Sequence, residues 1–279
     1  MSEQLHKYGR YGCEEGWAIY SQCERDIARL VVYHLANSLR AGDRPAECVV
    51  QPPAGRTLVE YAAAAWTPFY ARLFMDAAAP AHCREPAWLA FATRLEQILT
   101  ACADVPLERV AQHVYDELLA APMVKYLAQQ RKEWEEDRPF GLWRYDARND
   151  YIALHIHNVY MPESPFAHMP QLFASLGQII DDIDSRGLKI ARIGVDSWIN
   201  SMLPFQRLFP AEFATSLAPT TRDAKGGNGW WGQFISRTGH LHEPRAQRLR
   251  QMRRFDYVRT HGECSFARFR EHVKQANSN

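Results

Sequence analysis

GLWRYDARNDYIALHIHN, residues 141–158, is where the hydrophobic period of this chain changes from helical to alternating. Gly141 to Ala147, a turn at Arg148-Asn149-Asp150, and Tyr151 to Asn158 read as a β-hairpin. On its second arm Ile152, Leu154 and Ile156 share one face, and Ala153, His155 and His157 share the other. Downstream, Pro165 to Arg186 is an amphipathic helix with Phe173, Leu176, Ile179, Ile180 and Ile183 on one stripe, stopped by Gly187. LKIARIGVDS, residues 188–197, reads as a buried strand. Strand, helix, strand is a crossover unit and predicts parallel neighbours in a sheet. A short helix through Leu203 to Phe209, a glycine-rich loop from Thr220 to Gly229, a strand WWGQFIS and two arginine-rich helical segments complete the chain.

Upstream of the hairpin, the pattern is helical up to about Arg138. Trp17, Tyr20, Ile27, Leu30, Val31, His34 and Leu35 recur at helical spacing, and the run ends at AGDRP. Thr57 is placed to cap a helix bearing Leu58, Tyr61, Ala65, Trp66, Phe69, Tyr70 and Phe74, kinked by Pro68. Pro86 to Cys102 and Pro106 to Ala120 each open with proline in the first turn, as helices prefer. Met123 to Glu136 is the last segment. The fold class expected is α+β or α/β: an all-helical domain over residues 1–138, then a mixed-sheet α/β domain over 139–279 that carries the site.

Hydrophobic residues make up 47% and charged residues 23% of the 279, the balance of a globular protein. No apolar run is long enough to span a bilayer. MSEQLHKYGRYG lacks the apolar core of a secretory signal. A net charge of +1 argues against a dedicated nucleic-acid binder. Cys13, Cys23, Cys48, Cys83, Cys102 and Cys264 contain no CxxC pair and read as reduced thiols, so a cytoplasmic protein is expected.

Polar and aromatic residues crowd three C-terminal stretches that otherwise read as buried, and such groups are costly to bury without partners. His155 and His157, at period 2 on one strand face, suit general acid–base work or substrate binding. They could also serve as metal ligands with a third from His168, His240, His242 or Glu163. The plain alternative has one histidine bonded to a neighbouring loop and the other in solvent. Asp196, Ser197, Trp198 and Asn200 lie at the carboxyl end of the second strand, where open sheets bind ligands. Ser197 lacks the glycines of a nucleophile elbow and reads as an oxyanion donor or a helix cap. In GGNGWWGQF, Trp230 and Trp231 must point to opposite faces of a strand, one into the core and one towards a pocket. Trp143 and Gln233 are expected to line the same pocket. Arg245, Arg248, Arg250, Arg253 and Arg254 make one helix basic, either as a solvated face or as a docking surface for a carrier protein or another anionic partner.

Arg144, Leu154-His155-Ile156, Ser197-Trp198 and Phe205-Gln206, within residues 141–210, resemble the corresponding elements of bacterial two-domain acyl-CoA N-acyltransferase-like proteins. The resemblance implies a helical domain followed by an α/β domain, and acyl transfer from an acyl-CoA or another acyl donor. A pyrophosphate loop of the Q/R-x-x-G-x-G/A type is missing from this chain. The leading expectation is an enzyme acting on a small polar metabolite, with His155 or His157 as general base and Ser197 steadying an oxyanion. Two alternatives stand beside it: a transition-metal enzyme using the histidines for hydrolysis or oxidation, and a non-catalytic ligand- or partner-binding protein.

Overall fold

The computed structural model describes residues 14–45, 56–74, 81–135, 140–220 and 228–278. The first half is helical. Helix α1 (Glu14–Arg40) is its spine and buries Ile27, Leu30, Val31 and Leu35 along one stripe. It ends at AGDRP as the sequence predicts, with Gly42 in the left-handed region at φ +82°. Helix α2 (Leu58–Trp66) is capped by Thr57, whose hydroxyl accepts from the Glu60 N–H. Pro68 breaks this helix rather than kinking it: Thr67 is extended, and a separate π-helical turn spans Tyr70–Phe74.

Helix α3 (Ala81–Ala101) starts ahead of the expected opening at Pro86, which lies in its interior and not in its first turn. Helices α4 (Leu107–Val114) and α5 (Ala120–Glu135) were expected as separate segments but run on through a π-turn at Tyr115–Leu119. That wide turn sits just ahead of Pro122, whose missing N–H interrupts the ordinary ladder there.

The second half is built on a mixed five-stranded sheet, in the order β1-β2-β3-β5-β4. Strands β1 (Trp143–Arg148) and β2 (Tyr151–Ile156) form the hairpin, with Asn149 at φ +53° in its turn. Helix α6 (Met169–Ser185) crosses over to β3 (Arg192–Ser197), which pairs parallel to β2 as the crossover predicts. Short helices α7 (Leu203–Gln206) and α8 (Ala211–Ser216) follow, then β4 (Ala218–Pro219).

Two readings of the C-terminal third change. WWGQFIS is not a strand: Asn228–Trp231 is a helical turn, α9, and Gly232–Phe234 continues it as 3-10 helix. After helix α10 (Glu243–Met252) comes an unforeseen strand, β5 (Thr260–Ser265), antiparallel to β3, and then helix α11 (Phe266–Ser278). Strand β5, THGECS, has only one clearly apolar side chain, so it lacks the β-branched pattern that announces a strand. Gly262 explains part of this, because a Cβ there would stand 2.7 Å from both the Phe213 ring and Leu217.

One sheet face is apolar and covered. Ile152, Leu154, Ile193 and Val195 pack against Leu176, Ile179 and Ile183 of α6 and Phe269 and Val273 of α11. The opposite face is polar. The helical layer has its own core, and residues 1–138 do not complete it. Trp230, Trp231, Phe234, Ala246 and Leu249 return to it from the C-terminal half. Inside that layer Glu24 is buried with Arg72 at 2.9 Å and Tyr20 at 2.8 Å, beside a cavity of about 10 Å³, room for one water.

Candidate functional site

Strand register places many of the polar and titratable side chains of the second half on one sheet face. The pairs Asp146↔Ala153, Ala153↔Gly194 and Gly194↔Glu263 align four strands. By alternation, Arg144, Asp146 and Arg148 of β1, Tyr151 and His155 of β2, Arg192 and Asp196 of β3, and His261 and Glu263 of β5 share this face. No residue larger than glycine fits at 194. A Cβ there would lie 2.5 Å from the Tyr151 hydroxyl and 2.6 Å from the Gly262 carbonyl, so the tyrosine ring fills the place of a side chain.

Three polar groups lie across the face. At the β1–β2 edge, His155 Nε2 is 2.9 Å from Asp146 Oδ2, and the imidazole is 51% exposed. With Nε2–H donating to the carboxylate, Nδ1 carries the lone pair and is the basic atom. In the middle, Tyr151 lies near His261, and Glu263 takes Arg192 at 3.3 Å and His261 at 3.4 Å. Burial, reinforced by the Glu263 and Asp196 charges, pushes the Tyr151 phenol up to about 12, so it is a neutral hydrogen-bonding group at ordinary pH. At the carboxyl end of β3, Asp196 is held by the Arg259 guanidinium (Nε to Oδ1 2.7 Å, with Nη2 on Oδ2) and by the Thr220 hydroxyl at 2.7 Å. Helix α9 borders this end: a Cβ on Gly229 would come within 2.9 Å of Arg259 Nε.

Of the residues expected at the site, His155 and Asp196 do lie on one face of neighbouring strands, each two positions beyond the Ala153–Gly194 pair. His157 follows the strand end; its N–H donates to Leu142 O at 2.9 Å, and its Nε2 is shielded from solvent. Ser197 turns to the other face by alternation, away from His155, and its hydroxyl accepts from the Ile199 N–H at 3.4 Å as a cap.

The expected aromatic pocket is not formed by its proposed members. Trp143 is 1% exposed in the sheet core, while Trp230 and Trp231, 8% and 0% exposed, sit in the helical core. A helical turn at 228–231 places both indoles on the inward side, where an alternating strand would have split them. Trp198 is half-buried against Tyr257 at 5.5 Å, with the Arg245 guanidinium 5.6 Å from its ring.

Asn200 and Gln233 are fully buried braces. Asn200 Nδ2 donates to Val195 O at 2.9 Å and Thr260 O at 2.8 Å, which ties the ends of β3 and β5 together. Gln233 donates to Trp230 O and Tyr257 O and accepts from the Tyr257 N–H, fixing the 228–234 turn to the segment before β5.

The histidines proposed as metal ligands have separate surroundings. His168 stacks on Tyr160 with ring centres 4.1 Å apart and bonds Glu163 at 2.6 Å, and His240 is exposed in a turn. His242 heads α10, where burial and the nearby Arg245 push its pKa down. Among the described residues, no group of three or more His, Cys, Asp or Glu side chains is placed to hold a metal ion.

The basic helix is largely answered within the chain. Arg245 and Arg248 pair with Asp256, Arg250 with Glu243, and Arg253 with Asp43. No described helix is long and apolar enough to cross a membrane. Gly226 and Gly227 of the glycine-rich loop, and Cys13 and Cys48, lie outside the described residues.

Asp146, Tyr151, Arg259, His261 and Glu263 are the members that the sequence reading missed. Asp146 was within reach of it: a two-residue turn at Asn149-Asp150 sets the register that brings position 146 beside His155. Arg259, His261 and Glu263 belong to the strand that the apolar pattern did not announce. No family model, curated protein or solved structure matches the chain.

Proposed function

We propose that this protein is an enzyme in which His155, oriented by Asp146, is the general base acting on a small polar metabolite at the open sheet face. The dyad is the observation that carries the reading. A carboxylate 2.9 Å from one ring nitrogen fixes the tautomer and leaves the other nitrogen free to take a proton. An imidazole that only filled space would lie on the covered face, whereas this one is half exposed on a stretch of polar neighbours.

Acyl transfer to an amine or hydroxyl is the reaction we assign, following the resemblance of residues 141–210 to acyl-CoA N-acyltransferase-like proteins. The acceptor's N–H or O–H proton passes to His155 Nδ1 as its heteroatom bonds the acyl carbon. The carbon–sulfur bond of a thioester donor then breaks, and the leaving thiolate takes the proton back. Asp146 stays ionised and steadies the imidazolium between the two transfers. Residence in the cytoplasm is part of the proposal, in keeping with the free thiols of Cys23, Cys102 and Cys264.

The test is release of free thiol from acetyl-CoA and longer acyl-CoAs by the full-length protein, with a panel of primary amines and alcohols as acceptors. Acceptor-dependent release should fall by about 100-fold or more in His155→Gln, and by less in Asp146→Asn. Full turnover in His155→Gln, or no release from any donor with any acceptor, rules the reading out.

A further inference from the structure

The charges on the open face do not cancel evenly. Two of its three carboxylates already answer a cation, Asp196 meeting Arg259 at 2.7 Å and Glu263 meeting Arg192 at 3.3 Å, while Asp146 is hydrogen-bonded to the His155 ring at 2.9 Å. Arg144 and Arg148 remain, both exposed on the edge strand and neither in an ion pair with a described residue. They flank Asp146 on the same face. Arg144 is directly opposite His155 in the hairpin register, and Arg148 is opposite Tyr151. Side chains directly opposite on antiparallel strands start with their Cβ atoms about 4.5–5.5 Å apart, so a group held by Arg144 is within reach of the imidazole.

The geometry points to an anion-binding subsite at Arg144, supported by Arg148, that takes the carboxylate or phosphate group of a small substrate and presents its neighbouring atoms to His155. The inference rests on the reading of the dyad for its location. The chemistry is independent: a guanidinium offers a planar fork of N–H donors that matches two oxygens of a carboxylate or phosphate, and a bidentate charge-assisted pair fixes orientation as well as affinity. The local carboxylate, Asp146, lies between the two guanidinium-bearing positions 144 and 148 on the same strand face, so an incoming anion meets more positive than negative charge along this edge. Arg259 and Arg192 cannot take this role while they hold Asp196 and Glu263. An arginine kept only to solvate the edge strand would show no preference for one position over another.

Full-length protein labelled at the histidine ring carbons can be titrated with inorganic phosphate, and separately with acetate, at constant ionic strength. The His155 signal is assigned by its loss in His155→Gln. Saturable movement of that signal is expected, with affinity reduced about tenfold or more in Arg144→Gln, as for loss of a bidentate charged contact. Arg144→Lys should fall between the two, since it keeps the charge and loses the fork. Arg148→Gln should weaken binding less, and Arg237→Gln, an exposed arginine outside the sheet, should leave it unchanged. A shift that never saturates, or an Arg144→Gln variant that responds like the wild type, overturns the subsite. Saturable binding together with full acyl transfer by His155→Gln would remove the general-base reading and leave the anion site standing. Loss of turnover in His155→Gln without anion binding would do the reverse.

Discussion

Two histidine–carboxylate pairs in this chain look alike by distance and differ by setting. His168 is sandwiched on Tyr160 and reaches Glu163 within the loop before α6, so both partners serve local structure. His155 reaches across a hairpin to Asp146 and leaves one face of its ring to solvent, which is why it alone is assigned chemistry. Tyr151 has a different part. It lies over Gly194, and burial pushes its phenol up to about 12. The Cys264 thiol, buried on the covered side, is likewise pushed up to about 12.

Both shifts raise a folded-state pKa above the unfolded value, so their contributions are complete at low pH and disappear as pH rises. The loss begins near pH 8.5 for the thiol and near pH 10 for the phenol, the unfolded values, and is complete above about 12. Urea midpoints measured from pH 8 to 11 should therefore decline, and Tyr151→Phe should flatten the decline only above about pH 10. Parallel curves for the two proteins across that upper range would refute the assignment.

Among the elements, the end of β3 is held by polar braces as well as by the buried Val195 and Ile199. Three consecutive features meet there: the Asp196–Arg259 pair on one face, the Ser197 cap on the other, and the Asn200 amide clasping carbonyls of β3 and β5. Asn200 is fully buried, so losing its amide strands two carbonyls in a dry place. Asn200→Ala should cost about 1–3 kcal/mol in urea unfolding. Asn200→Asp should be worse at pH 7 than at pH 4, because an ionised carboxylate cannot donate to either carbonyl and a protonated one can donate to one. Equal stability of the aspartate variant at the two pH values, relative to wild type, would contradict this account of the brace.

For the whole molecule, one segment that returns to the helical core also braces the neighbourhood of the sheet. Residues 228–234 put Trp230, Trp231 and Phe234 into the helical core, while Gly229 touches Arg259 and Gln233 holds Tyr257 beside the sheet. Trp231 sits edge-on to Phe255 at 5.1 Å with no exposed surface. Trp231→Ala should cost about 3–5 kcal/mol, the range for truncating a fully buried large side chain. Because the segment braces both cores, the helical signal at 222 nm and the hydrogen-exchange protection of the β3 amides should weaken together. An unchanged unfolding midpoint, or loss confined to the helices, would show that the segment does not couple them.

The sequence alone was enough for the helical character of the first half, though not for its breaks and joins, and for the β1–β2 hairpin, the crossover through α6 and the parallel pairing of β2 with β3. Each of these depends on periodicity and turn chemistry within a short window, and their physics is local. It also put His155, together with His157, on the face away from the apolar stripe, since alternation on a hairpin arm can be read without knowing what lies opposite. Only the tertiary structure decided the rest. THGECS becomes a strand because β3 offers it a hydrogen-bonding edge and Phe213 needs the space that Gly262 leaves. The paired tryptophans become core because the helical layer is incomplete without them, and the Asp146 partner and the unpaired arginines acquire meaning through register between strands. Burial and pairing are properties of neighbours distant in the chain, and no short window of residues contains them.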